Sequence, residues 1–327
     1  MIRLTLALGA ILSLLAVASL GMGDMPLPLD RVLSAVFFPG ADPDAALIVT
    51  GFRLPRLLAA CLAGAALALA GAITQAVMRN ALAEPGLLGI NAGAALSVSL
   101  LIVLWAPGVS ALLPIAGFGG ALAMAGAIWA LAWRGGAAPM RLVLIGIGMA
   151  AMVSAATTTV ITFGGLTQVQ RMMIWLAGSL NGLDWPRLKL LALWLSPAFL
   201  ACLVAPRALD LIRLEDGLAR GLGQAIEQAR FLLILLCALL AGATVSITGP
   251  IGFVGLIAPH LACRLVGPSH RRLLPAAALF GAVLVAAADL LGRIVFAPAE
   301  IPVGLVTAMV GGPFFFWLQR RLRHDPH

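Results

Sequence analysis

Apolar and polar positions alternate along this chain in long blocks. Ten apolar runs stand out, at residues 4–20, 57–78, 86–105, 111–133, 141–163, 188–205, 230–248, 251–266, 273–296 and 303–319. A helix crossing the hydrocarbon core needs roughly 20 apolar residues, and a few of these runs are short or broken by glycine. The pattern predicts an all-α polytopic membrane protein with about ten transmembrane helices. The first run follows Arg3 and contains Ala16-Val17-Ala18, which is similar to a signal-peptidase site. It is longer than a signal core, so a retained first helix is expected. The stretch Asp24–Phe52 reads as a polar, proline-containing connection.

Composition narrows the class. Of 327 residues, 62% are apolar and 10% charged, against about 25% charged in soluble domains. This excludes an ordinary cytosolic enzyme, a disordered chain and a disulfide-stapled module. The expected organisation is one transmembrane domain over 1–327, with its largest cytoplasmic loop at about 206–230. Cys61, Cys202, Cys237 and Cys263 are scattered without metal-ligand spacing and read as small packing residues.

The net charge is +8, and its distribution points to membrane topology, not to nucleic acid. With ten crossings, one side carries 14 basic residues, among them Arg79, Arg134, Arg141, Arg213, Arg220 and Arg230. The other carries 7: Arg31, Arg53, Arg56, Arg171, Arg187, Lys189 and Arg293. The positive-inside rule then places both termini in the cytoplasm, and an odd helix count would break the alternation. The segments 62–73 and 240–251 match at 6 of 12 positions, a faint echo of the kind inverted repeats leave.

Chemistry is sparse. A phosphate-binding Walker loop needs a lysine in a glycine-rich turn, and the single lysine, Lys189, follows Pro186-Arg187-Leu188. Active transport therefore requires a separate ATPase or an ion gradient. In Glu215-Asp216-Gly217-Leu218-Ala219-Arg220-Gly221-Leu222-Gly223, the acids suit a short helix's positive end and the glycines its termination. That helix reads either as a surface cap or as a plug for a partner.

Asn80, Glu84, Pro85 and Gly86 interrupt an apolar region, as a capped turn or a gate element would. His260, amid glycines and prolines, has no metal partner in the sequence and reads as a structural hydrogen-bonding residue. Asp289 and Arg293, spaced i, i+4, can pair on one helix face. Ser154, Thr157, Thr158 and Thr159 on an apolar helix bond backbone or face a pore. No nucleophile–base constellation is present, so no catalytic residue is expected. An ion-coupled carrier using Glu84, Asp289 or His260 is the alternative class.

These blocks together resemble the FecCD-type permeases of ABC importers for ferric siderophores, haem and cobalamin. The resemblance rests on Arg53-Leu-Pro-Arg56, Gly71-x-x-x-Gln75, Arg79-Asn80 through Gly89, and Trp175-Leu-Ala-Gly-Ser-Leu180. It continues through Glu215–Gly223, Gly249–Arg264, Asp289-Leu-Leu-Gly-Arg293, and Pro302 through Phe315, in order over nearly the whole chain. It implies a ten-helix, multi-pass subunit of the bacterial inner membrane, paired with a second permease as homo- or heterodimer. It further implies two cytoplasmic ATPases, which bind ATP and Mg, and a periplasmic binding protein; no cofactor belongs to this chain.

In that family, the positions of Glu215–Gly223 form the coupling helix that docks on the ATPase. Arg53, Arg56 and Arg293 match basic positions that pair with acidic residues of the binding protein; snorkelling at the interface is the bland alternative. Asn80 and Leu82 match the cytoplasmic gate, with Ala81 where many members have proline. Ser154, Thr157 and Thr158 are expected along a path of small apolar and hydroxyl side chains. The implied mechanism is alternating access. The Trp175–Gly182 wording is similar to that of siderophore-type members, so ferric siderophore ranks first, haem second and cobalamin third.

Overall fold

A computed structural model describes residues 2–23, 25–104, 111–133, 138–214 and 216–324. Each of the ten apolar runs holds a helix. In chain order the helices are α1 (Ile2–Gly21), α2 (Leu29–Phe37), α3 (Pro43–Met78), α4 (Ile90–Leu104), α5 (Leu113–Ala132), α6 (Pro139–Thr162) and α7 (Leu166–Leu176). There follow α8 (Trp185–Val204), α9 (Pro206–Ile212), α10 (Asp216–Gly221), α11 (Ile226–Thr248), α12 (Val254–Val266), α13 (His270–Ile294) and α14 (Val303–His324). Among the described residues 7 helices are long and apolar enough to cross a membrane, and α4 and α12 are shorter apolar helices.

Three elements go beyond the apolar pattern. α2 and the N-terminal turns of α3 fold within the stretch read as a polar connection, and α7 follows α6 across a short turn. α2 and α7 are amphipathic and too short for a span, so run length alone passes over them. The first turns of α3 are wide: residues 47–53 are π-helical, and the Leu54 amide donates to the Val49 carbonyl, five residues back.

α3 is the central helix, packed by α13, α11, α12 and α8. Its small residues explain this, because lipid supplies no hydrophobic drive between helices and contact depends on close backbone approach. A Cβ on Gly64 would collide with the Gly281 carbonyl of α13, and one on Gly71 with the Gly255 carbonyl of α12. Around this core α4 lies against α5 and α6, α5 against α11, and α1 and α14 against α13. The expected role of the cysteines holds for two of them. Cys202 and Cys237 are buried, and the Cys237 Sγ sits 3.1 Å from the Thr74 hydroxyl between α11 and α3.

Candidate functional site

The largest described loop folds as two short helices. α9 ends at Ile212, and α10 begins at Asp216, whose charge suits the helix N-terminus. Glu215 lies outside the described residues. α10 ends in a Schellman motif at Gly223, where φ is +81°. The Gln224 amide donates to the Ala219 carbonyl and the Gly223 amide to that of Arg220. Gly217 through Leu222 thus form a closed unit with Ala219 buried. Leu218 and Leu222, one turn apart, are 59% and 57% exposed.

Asp216 ties this unit to the bundle. Its carboxylate accepts from Arg79 and lies 3.2 Å from the Arg230 Nη2 of α11. Arg79 also donates through Nε to the Ile212 carbonyl at 3.0 Å. Arg79 caps α3 in the left-handed conformation, with φ at +49°. A second tie joins α9 to the start of α13. The Asp210 carboxylate accepts from the His270 backbone amide at 3.0 Å and lies 2.6 Å from its Nδ1. Arg79, Asp210 and His270 were missed as partners because their ties join distant segments, Arg79 and Asp216 being 137 positions apart and Asp210 and His270 60, and Arg230 was missed across 14 positions.

Partial burial pushes the Asp216 carboxyl up, but the Arg79 hydrogen bond and the charges of Arg230 and Arg79 outweigh it. The group therefore titrates below its ordinary value of 3.8. A depressed folded-state pKa stabilises the tie above the ordinary value, and that stabilisation is lost as pH falls through the folded pKa. Amide exchange in α10, corrected for intrinsic rate, should keep its protection down to that pH and lose it below. Asp216→Asn should lack the protection at neutral pH; unchanged protection in that variant would show the tie to be idle.

Immediately after Arg79 comes the turn expected as a gate. The Asn80 amide donates to Gln75, and the Asn80 side chain accepts from the Leu82 amide at 2.9 Å. Asn80 is exposed and Leu82 half-buried. The Ala83 amide closes the turn by donating to the Asn80 carbonyl. Glu84 stands at the N-cap position of the short turn that follows it, yet its side chain makes no capping hydrogen bond. Gln75, Arg79, Asn80, Arg213, His260 and His270 line a cavity of about 350 Å³ beside the turn. His260 packs edge-on to Phe314, with ring centroids 5.8 Å apart.

Ser154, Thr157 and Thr158 line a second cavity, of about 530 Å³, between α6, α7 and α4. The Thr157 and Thr158 hydroxyls donate to the Val153 and Ser154 carbonyls of their own helix. They therefore bond backbone, one of the two readings expected, while bordering this groove.

The arginines expected to face a binding protein are turned inward and bonded within the chain. Arg53 is 8% exposed and donates to the Leu20 and Met25 carbonyls. Arg56 donates to Asp289 at 3.0 Å and to Glu300 at 3.0 Å. Arg293 is 5% exposed, donates to Ser19, and holds Asp289 at 3.3 Å. A buried guanidinium is expensive without acceptors, and the chain supplies them from α1, the connection after it, α13 and the loop after α13. Asp289 keeps its expected structural role, now shared between two arginines.

The Trp175–Leu180 segment interlocks with the end of α11 and the start of α14. The Ser179 amide donates to Thr248 at 2.7 Å, and the Gly304 amide to Gly178 at 2.9 Å. This geometry explains the wording of that motif by packing.

Comparison with known proteins agrees with this architecture. The FecCD transport family pattern matches residues 11–321. The chain is 40% identical over 315 residues to the probable siderophore transport system permease protein YfhA of Bacillus subtilis (strain 168), covering 94% of this chain and 92% of that one. It is 40% identical over 324 residues to the hemin transport system permease protein HmuU of Yersinia pestis, covering 98% and 97%. A solved metal-chelate type ABC transporter in an inward-facing conformation superposes with a TM-score of 0.84 at 29% identity, covering 98% of this chain and all of that one. These relatives are transport permeases, and the apolar helices make this chain a multi-pass membrane protein. Matched over nearly its whole length, the chain belongs to the FecCD transport family.

Proposed function

We propose that this chain is the permease subunit of an ATP-driven importer that moves an iron chelate inward by alternating access. Ferric siderophore is the first candidate, haem the second and cobalamin the third; relatives named for siderophore and hemin transport support the first two. ATP and Mg belong to two cytoplasmic ATPases, a second permease completes the path, and a periplasmic binding protein delivers the substrate. The membrane is the bacterial inner membrane, with both termini cytoplasmic on the 14-to-7 split of basic residues.

One observation carries this reading: Asp216, the first residue of α10, is held by Arg79, and Arg79 immediately precedes the Asn80–Leu82 turn. A push on α10 therefore reaches the gate turn through a single ion pair and the Ile212 carbonyl. The exposed Leu218 and Leu222 present an apolar knob of the kind that seats in a partner's groove. On the opposite face Arg56 holds the loop after α13 through Glu300, so its part in docking is to shape that loop. Against the Asp289 form of the ion-coupled alternative, that carboxylate lies between two guanidinia.

A charge-assisted hydrogen bond contributes about 1.5–3 kcal/mol, so Arg79→Ala should shift the docked equilibrium of α10 about tenfold or more. In proteoliposomes with the full complex, uptake should fall by about that factor while basal ATP hydrolysis persists. Wild-type uptake in Arg79→Ala would remove the relay. Co-purification from native membranes without any ABC ATPase, with uptake continuing in vesicles that lack ATP, would remove the function itself.

A further inference from the structure

α2 has three faces. At about 100° per residue, Val32 and Ala35 point one way and pack on Ala45, Ala46 and Val49 of α3, with Leu20 and Leu27 beside them. The next arc carries Leu29, Leu33, Val36 and Phe37, which are 54%, 49%, 39% and 69% exposed. The last arc carries Asp30, Arg31 and Ser34, with Arg31 paired to Asp42. Each arc spans roughly a third of the helix or less.

A helix bordered by protein and water alone needs two faces, one apolar and one polar. The described residues leave the second apolar arc of α2 largely exposed, and four large side chains in one patch do not stay in water without reason. The position of the helix says what covers it. α2 lies in the short connection between two spans, after the end of α1 at Gly21 and before the start of α3 at Pro43, and packs against both. It is therefore held at the level where those spans leave the membrane. Val17 of α1 and Leu47 and Phe52 of α3, on the two spans it packs against, are exposed as well.

We propose that α2 is an interfacial helix lying in the headgroup region of the bilayer. Leu29, Leu33, Val36 and Phe37 sit in the acyl boundary, and the Asp30–Arg31–Ser34 face is in water. The partner is a phospholipid surface. The inference rests on the multi-pass character of the chain and not on the transported substrate, so either can fail without the other.

The test uses the full-length protein in liposomes of phosphatidylethanolamine and phosphatidylglycerol. Spin labels are placed one at a time through Asp30→Cys, Leu33→Cys, Ser34→Cys and Phe37→Cys. The half-buried Cys61 and Cys263 are replaced by alanine, and the buried Cys202 and Cys237 stay. Collision with oxygen, which partitions into lipid, is compared with collision with a water-soluble nickel chelate. Labels at 33 and 37 should favour oxygen severalfold, and labels at 30 and 34 should favour nickel, inverting with the helical period. Nickel access at 33 and 37 equal to that at 30 would overturn the proposal in favour of a water-facing helix. Exclusion of both reagents at 33 and 37 would overturn it in favour of a protein surface, such as a second copy. If Leu33→Cys or Phe37→Cys fails to elute as folded protein, Leu29→Cys and Val36→Cys report the same arc.

Discussion

Asp289→Ala should destabilise the protein by about 3–5 kcal/mol, the cost of breaking a buried ion pair by removing one partner. Asp289 is 3% exposed and serves two cations, Arg56 from α3 and Arg293 one turn along α13. Without it Arg56 keeps only Glu300, and Arg293 keeps Ser19. Two guanidinia are then left with one carboxylate at the seam of α1, α3 and α13. Thermal unfolding in mild detergent should show the loss, and Asp289→Asn should recover part of it by accepting hydrogen bonds without a charge. A double-mutant cycle with Arg293→Ala should return a coupling well above the 0–1 kcal/mol usual for surface pairs. Full stability of Asp289→Ala would mean that water or Glu300 replaces the carboxylate, and that this cluster is not structural.

The second large effect is expected at the helix contacts of α3. Gly71→Val places a branched side chain where even a Cβ would collide with the Gly255 carbonyl. Overpacking a close contact costs about 1–3 kcal/mol when neighbours can give. Here the obstacle is backbone, so α12 itself must move and the cost should reach or exceed the upper end. Because Gly255 also lies against Pro85, which follows the gate turn, the same shift should disturb that turn. Gly71→Ala should be milder yet still lower the melting temperature. The half-buried Gly9, where an added Cβ meets nothing within 4 Å, should tolerate alanine with a change inside about 0.5 kcal/mol. Equal melting temperatures for Gly71→Val and Gly9→Ala would contradict the close approach.

Much of the fold was legible because membrane helices write their length into the sequence. Each apolar run became a helix, and the Leu214–Gly223 wording correctly announced a short helix with a glycine end. The amphipathic α2 and α7 were less visible, since their signal is a period within nine or eleven residues instead of a run. The arginines show the opposite limit. Arg53, Arg56 and Arg293 stood in the expected places, yet their direction depended on acceptors in other segments, such as Leu20, Asp289 and Glu300.

By itself, the sequence determined the class of the protein. Free energies of transferring long apolar runs and charged ends between water and lipid are local sums, so composition and spacing are enough to state them. The tertiary structure decided which charges meet. The Arg79–Asp216 tie, the shared Asp289 and the uncovered flank of α2 depend on segments far apart in the chain coming within a few ångströms. Their energies follow distance and burial, which no local pattern of residues contains.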